Sequence, residues 1–222
     1  MQFARGSPER METVVGATVL LTLPDGRRVQ ATAVAAPSTP SPSTSLESPS
    51  TAFVYHFPLD ELGFELVPGG TYRLEVRVPD GRTVTGHTTI PLAQPAPLEA
   101  PTEQMRFRGD TLHLRWARIA GARGYEVDVF NQTQSFNRVN SVFADTALDI
   151  TPTLRGRNGD TFLFPGTENR IAVMAVDSNY YDYYRRDSDS ITGNGLITHL
   201  TGAEGVFGSV VPIATRSVKL VF

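Results

Sequence analysis

The chain has 222 residues, 40% of them hydrophobic, with 20 Lys and Arg against 23 Asp and Glu, a formal net charge of -3, 19 Gly, 16 Pro and no Cys. That length is enough to bury one large or two small cores, and the near-neutral balance argues against a polyanion-binding surface, since nucleic-acid binders carry a clear basic excess. The absence of cysteine removes disulfides, thiolate metal sites and thiol nucleophiles together, and leaves the compartment open.

From the N-terminus, Met1 to Glu12 read MQFARGSPERME and lack the charged start, apolar run and small-residue cleavage site of a secretory signal. A short polar lead to a strand near Val14 is expected, compatible with further chain upstream of Met1. Gly16, Thr18 and Thr22 interrupt the apolar run Val14 to Leu23. No stretch reaches the ~20 consecutive apolar residues that a spanning helix needs, so no transmembrane helix is expected.

Two segments, Leu23-Pro24-Asp25-Gly26-Arg27 and Val78-Pro79-Asp80-Gly81-Arg82, carry the same hairpin signature, because Asp-Gly supplies the positive φ of a tight strand-to-strand turn. Between them, residues 36–51 are almost entirely Pro, Ser, Thr and Ala, a composition that buries too little apolar surface to offset its ordering entropy; a disordered loop is expected there. Strand character resumes at Ala52 to Phe57, and Pro68-Gly69-Gly70 is a further turn. Tyr72, Leu74, Val76 and Val78 then alternate with Arg73, Glu75 and Arg77, the period of a half-buried antiparallel strand. The returning run keeps Val84 and Ile90 in phase and sets Thr85, His87 and Thr89 on the opposite face.

Pro91 to Pro101 has the stiff, extended composition of an interdomain linker. Beyond it Leu112, Leu114 and Trp116 alternate with His113 and Arg115, and Tyr125, Val127 and Val129 alternate with Glu126 and Asp128. Ile171 to Val176 is apolar on both faces, as a central strand would be. In the closing strand, Ala214 to Phe222, residues Val218, Leu220 and Phe222 share a face, as at the end of an outer-membrane barrel. The other strands are shorter than the ~10-residue segments such barrels repeat, which makes this a final sandwich strand. No run of ten or more residues shows a helical apolar period, so helix content should be low. The expected fold is all-β, two tandem antiparallel β-sandwich domains, at 1–92 and 102–222, with the linker at 93–101.

Leu112-His113-Leu114-Arg115-Trp116, Gly121-Ala122-Arg123-Gly124-Tyr125 and Ile171-Ala172-Val173-Met174-Ala175-Val176-Asp177 resemble the core strands of a fibronectin type III domain, an Ig-like sandwich. Val15 to Leu21, Gly70 to Val76 and the second Pro-Asp-Gly-Arg turn are similar to a transthyretin-like or carboxypeptidase-regulatory sandwich. The order of both halves, with Thr88-Thr89-Ile90-Pro91 and the segment Leu200 to Gly208 containing Gly202, Gly205, Phe207 and Gly208, resembles an uncharacterised bacterial family. Its members are surface lipoproteins of unknown function, typical of Bacteroidota and often encoded near TonB-dependent receptors. The resemblance implies a cell-envelope or outer-membrane location and an outer-membrane receptor as partner. Two features of that family, a lipid-attachment Cys and a strand upstream of Val15, have no counterpart in the sequence.

A phosphate loop, a nucleophile elbow, a zinc-protease helix and a dinucleotide fingerprint are all missing. His56, His87, His113 and His199 are scattered, which argues against a metal cluster. Asp182, Asp187 and Asp189 lack the glycine and distal glutamate of a calcium loop. Neither metal nor cofactor is expected. Asn131-Gln132-Thr133 is a glycosylation triplet with meaning only in a glycosylating compartment, and Phe207 among glycines reads as a plug sealing a sandwich end.

The one local concentration is the Tyr-rich segment 177–186, expected at a strand end or loop. Asn179, Tyr180, Tyr181, Asp182, Tyr183, Tyr184, Arg185 and Arg186 form the candidate binding surface, since rigid amphipathic rings beside directional hydrogen-bonders suit recognition and sugar stacking. The ordinary alternative is that two of these rings cover the sandwich edge while the others face solvent. The functional expectation is a non-enzymatic cell-envelope accessory or binding protein with an unknown protein or glycan ligand. A carbohydrate-binding module using the Tyr-rich loop, and a hydrolase drawing carboxylates from distant loops, are the alternatives.

Overall fold

The computed structural model describes residues 16–35, 53–61, 63–92, 104–106, 109–131, 137–138, 144–151, 163, 166, 168–184 and 197–221. The expected loop 36–51, the linker 93–101, Arg185, Arg186, Asp187 and Asp189 lie outside the described residues. Among the described residues the fold is all-β apart from one short helix. It comprises two compact units, one within Met1–Thr88 and Thr198–Phe207, the other within Thr89–Ile197 and Gly208–Phe222.

The first unit contains β1 (Thr18–Thr22), β2 (Arg28–Gln30), β3 (Thr32–Ala35), β4 (Phe53–His56), β5 (Thr71–Arg77) and β6 (Thr83–Thr89). A four-stranded sheet runs in the order β2-β1-β5-β6, and β3 pairs antiparallel with β4. The alternation read from the sequence is the alternation of burial. Val19, Leu21, Tyr72 and Leu74 are buried, while Arg28, Arg73 and Arg77 are exposed. Val19, Ala31 and Leu74 form the core, with Tyr55, Phe57, Val76, Leu200 and Phe207 packed against it.

Both Pro-Asp-Gly-Arg turns have one geometry. Gly26 N–H reaches Leu23 O at 2.9 Å and Leu23 N–H reaches Arg27 O at 2.8 Å; Gly81 to Val78 and Val78 to Arg82 repeat this at 3.0 and 2.9 Å. Each is a β-turn closed from its first residue to its fourth, with proline at the second position and at the fourth a glycine at φ 87° or 91°. The preceding aspartate accepts both the backbone N–H and the Nε–H of the arginine that closes the turn.

The sequence places everything after residue 101 in the second domain. Instead, Thr198–Phe207 belongs to the first unit. Thr201 exchanges backbone hydrogen bonds with Thr85 at 3.0 and 2.8 Å, adding a fifth element beside β6. Leu200 and Phe207 turn into the first unit's core. The first unit also ends earlier than expected: Leu92 N–H donates to Ala120 O within the second unit.

The second unit contains β7 (Gln104–Arg106), β8 (Leu112–Arg115), β9 (Gly124–Asn131), β10 (Asn137–Arg138), β11 (Ala147–Ile150), β12 (Glu168–Val176), α1 (Ser178–Tyr184) and β13 (Val210–Val221). A five-stranded sheet runs β10-β9-β12-β13-β7, with β13 and β7 parallel, and β11 pairs with β8 in a second sheet. Leu112, Leu114, Val127, Ile150, Ile171 and Val173 are fully buried in the core. Each such side chain contributes roughly 1.5–3 kcal/mol relative to exposure. Trp116 meets Tyr125 edge to face at 5.4 Å, and the Tyr125 hydroxyl accepts the Ile119 N–H at 2.8 Å. As its doubly apolar sequence predicts, β12 is central, paired with β9 and β13.

Two details differ from the sequence reading. The closing strand begins at Val210 and carries a bulge opposite Val173 and Met174. Glu126 and Asp128, read as the wet face of β9, are only 1% exposed.

Candidate functional site

Within the Tyr-rich segment, Ser178–Tyr184 is a helix, not a loop. Asp177, itself buried, caps it: its Oδ1 accepts the Tyr180 N–H at 2.9 Å and its carbonyl accepts the Tyr181 N–H at 3.0 Å. A single seven-residue helix has too few turns for an apolar period to register in the sequence, so only the capping aspartate could have signalled it.

Helical spacing sorts the four rings. Tyr183 is buried, and the half-buried Tyr180 donates its hydroxyl to Glu126 Oε2 at 2.8 Å. Tyr184 lies one turn on from Tyr180 with ring centroids 4.4 Å apart, and it meets Tyr183 edge to face at 5.2 Å. Tyr181 points elsewhere, with the Arg123 guanidinium 4.9 Å from its ring centroid. Asn179 and Asp182 are half-buried on the same turns. The structure therefore brings together Asn179 to Tyr184. Tyr180, Tyr183 and Tyr184 pack against one another, and Tyr181, half-buried like Tyr180 and Tyr184, stands beside the exposed Arg123.

A second site, in the first unit, was not anticipated. In β1, β2 and β5 the outward positions are Thr22, Arg28 and Arg73, joined by the registers Thr22↔Arg28 and Thr22↔Arg73. Closure of the hairpin at Val78 and Arg82 sets His87 across from Arg73, and the pairing of Thr85 with Thr201 sets His199 across from His87. Arg28, Thr22, Arg73, His87 and His199 thus form one row running across the strands. They line an open groove of about 520 Å³, together with Glu75, Thr85 and Thr201. Glu75 is gripped from both sides, by Arg28 Nη2 and Arg77 Nε, each at 2.5 Å. Hydrogen bonding from Arg77 is the main reason its carboxyl is held below the ordinary glutamate value, with Arg28 adding to it. Three arginines against one carboxylate leave this face cationic.

Strand alternation showed Arg73 and His87 facing outward, but nothing local could show that a residue as distant as His199 would complete the row. His113 pairs instead with Asp149, Nδ1 to Oδ1 at 2.9 Å, on an exposed cross-strand pair that Arg115 joins at 3.1 Å. Hydrogen bonding from His113, then from Arg115, lowers the Asp149 pKa. Among the described residues no group of three or more His, Cys, Asp or Glu side chains is arranged to hold a metal ion, and no helix is long and apolar enough to cross a membrane.

Among solved structures, the chicken CNTN1 FN1-FN3 domains align at 13% identity over 91% of this chain and 56% of that one, with a TM-score of 0.27. A beta-1,2-glucanase from Parabacteroides distasonis aligns at 12% identity over 95% of this chain and 26% of that one, with a TM-score of 0.28. The chain thus spans little more than half of the first and about a quarter of the second. No curated protein is a significant match. Residues 2–203 match the family described as Domain of unknown function (DUF4249), and the chain belongs to that family.

Proposed function

We propose that this chain is a non-enzymatic binding protein of the cell envelope that takes its ligand on the exposed face of the first unit's sheet. The observation that carries the reading is the groove bounded by Arg28, Arg73, His87 and His199. Side chains on paired strands are held in fixed directions, so this row is a pre-arranged set of donors, which spares a ligand the cost of ordering them. Envelope location, and association with a TonB-dependent receptor, are supported by the likeness to surface lipoproteins drawn from the order of the sequence motifs.

The α1 tyrosines are a weaker carbohydrate platform, because Tyr180 and Tyr183 are turned into packing. A glycoside hydrolase of the usual kind would need two carboxyl groups facing each other across a cleft, whereas the groove offers Glu75, already engaged by two arginines.

The test is affinity electrophoresis of the purified chain through gels containing neutral glycans, acidic glycans or polyglutamate. The wild type is compared with the Arg73→Gln, His87→Gln, His199→Gln triple variant, with thermal unfolding confirming that the variant folds. Retardation by one polymer class, lost in the folded triple variant, is the expected result. Retardation unchanged in that variant, or absent across the whole panel, overturns the proposal.

A further inference from the structure

We infer that the second unit takes an extended segment of a partner protein as an added strand along β13, a segment carrying one acidic residue between hydroxyl-bearing ones. β13 runs from Val210 to Val221, but β7, its neighbour at the end of the sheet, pairs only with Lys219, Leu220 and Val221. Two hydrogen bonds fix which way the rest of its backbone points. Leu220 O accepts the Gly166 N–H, just ahead of β12, at 2.9 Å, and Ser209 O accepts the Asp177 N–H, just past β12, at 3.1 Å. In an antiparallel pair, successive residues turn their N–H and C=O together to alternate sides. From Leu220 back to the bulge, Val218 and Arg216 likewise turn towards β12, while Ser217 and Thr215 turn to the other side, outside the span that β7 pairs. From Ser209 forward, Pro212 also turns away from β12, and a proline with no N–H to offer is tolerated in a strand on a side that nothing pairs. The open stretch is therefore bounded, by Pro212 and the bulge at one end and by β7 at the other.

A groove of about 500 Å³ lies there, lined by Gln104, Glu168, Thr215, Arg216, Ser217 and Lys219. One face of a strand shows every second residue, so three in succession, Thr215, Arg216 and Ser217, meet a single groove where it runs along the strand's edge. Thr215 and Ser217 are exposed, and among the described residues no strand pairs with this stretch on that side. Their main-chain donors and acceptors are a template that an extended peptide completes.

Side chains set the chemistry of that peptide. Residues opposite one another on paired strands share a face and interact. A residue opposite Arg216 meets a half-buried guanidinium whose Nε has no acceptor among the described residues, and Lys219 lines the same groove. A carboxylate fits there, through the stronger, charge-assisted class of hydrogen bond. Residues opposite Thr215 and Ser217 meet hydroxyls, which suits threonine or serine. One carboxylate on an otherwise neutral strand calls for no basic excess in the chain. A second copy of β13 fits worse: when Thr215 and Ser217 pair with Ser217 and Thr215 of the copy, Arg216 falls opposite Arg216, and like charges in that position repel.

The experiment follows the fluorescence anisotropy of a labelled, end-capped heptapeptide, glutamate at its centre and threonine elsewhere, titrated with the full chain. Binding should weaken about fivefold with glutamine at the peptide's centre, and about fivefold in Arg216→Gln, where the glutamate and glutamine peptides should bind alike. N-methylation of alternate peptide amides, and Ser217→Pro, which repeats at the open side what Pro212 already does, should each cost about tenfold. Thermal unfolding confirms that the variants fold, and Arg73→Gln, in the first unit, should change nothing. No binding of the glutamate peptide by the wild type, or equal binding of its N-methylated form, overturns strand addition. Equal binding of the glutamate and glutamine peptides by the wild type overturns the acidic residue. Dimerisation of the wild type in sedimentation that Ser217→Pro abolishes overturns the partner protein and makes a second copy the occupant.

Discussion

The Tyr180 hydroxyl donates a 2.8 Å hydrogen bond to Glu126 Oε2, joining α1 to the middle of β9. That contact explains how a carboxyl-bearing residue comes to be 1% exposed on a strand position read as solvent-facing. The helix supplies a donor where water would otherwise stand, and a buried polar group that loses its partner costs more than the bond itself is worth. Tyr180→Phe removes only this donor. It should lower stability by about 1–3 kcal/mol in urea unfolding, with the far-ultraviolet circular dichroism of the β-sheets unchanged. An unaltered midpoint would mean the bond contributes nothing net.

Gly208 packs against the start of the same helix. A Cβ there would stand 2.8 Å from Tyr180 N and 2.9 Å from Asp177 Oδ1, the two atoms of the capping bond. Tyr180 N is backbone and Asp177 Oδ1 is held in place by the capping bond, so Gly208→Ala should destabilise the second unit by about 1–3 kcal/mol. Increased amide exchange at Tyr180 and Tyr181 is the accompanying sign; protection equal to the wild type would contradict it.

For Gly202 the expected damage falls on the first unit. Its φ is 88°, and a Cβ would come within 2.4 Å of Thr83 O. Gly202→Ala therefore combines a left-handed backbone penalty with a clash against backbone, together about 2–4 kcal/mol. Hydrogen exchange at Thr85 and Thr201, whose N–H groups bond each other's carbonyls, should accelerate together. Acceleration at one amide without the other would argue against a shared bridge.

The paired turns predict an acid limb. Asp25 and Asp80 lie below the ordinary aspartate value of 3.8, chiefly because each accepts a backbone N–H, from Arg27 and Arg82 respectively, and then because of those arginines' side chains. A lowered folded-state pKa gives stability that is fully present above the unfolded value and is lost as pH falls through the folded one. The wild type should lose stability below about pH 4. The Asp25→Asn, Asp80→Asn double variant, which keeps a turn-forming residue at each site, should lose less over the same range. Denaturant midpoints that fall in parallel between pH 5 and pH 3 would dismiss the turns as contributors.

The sandwich cores were legible because strand alternation is a local signal: Leu112, Leu114, Val127 and Val129 are buried where period two puts them. The turns at Asp25 and Asp80 were legible because proline and glycine fix dihedral angles within a few residues. What escaped was whatever depends on partners far away in sequence. The burial of Glu126 and Asp128 depends on what covers that face of β9, and for Glu126 this includes a helix about fifty residues on. The cationic row needs His199 delivered beside His87. Phe207, expected in the second domain, packs against the core of the first unit, since its glycine-rich neighbours say nothing about which core it enters.

Thr85 and Thr201, which exchange hydrogen bonds, stand more than a hundred residues apart in the chain. On a ribosome, the N-terminal unit must therefore wait with β6 bare on one side until nearly all of the protein has emerged, while most of the second unit is synthesised in between. An open edge held for that interval is exposed to pairing with neighbouring nascent chains. The same order of events means that a fragment ending at the proline-rich stretch is not a minimal domain but an arrested intermediate, lacking its last edge element and Leu200 and Phe207 from its core.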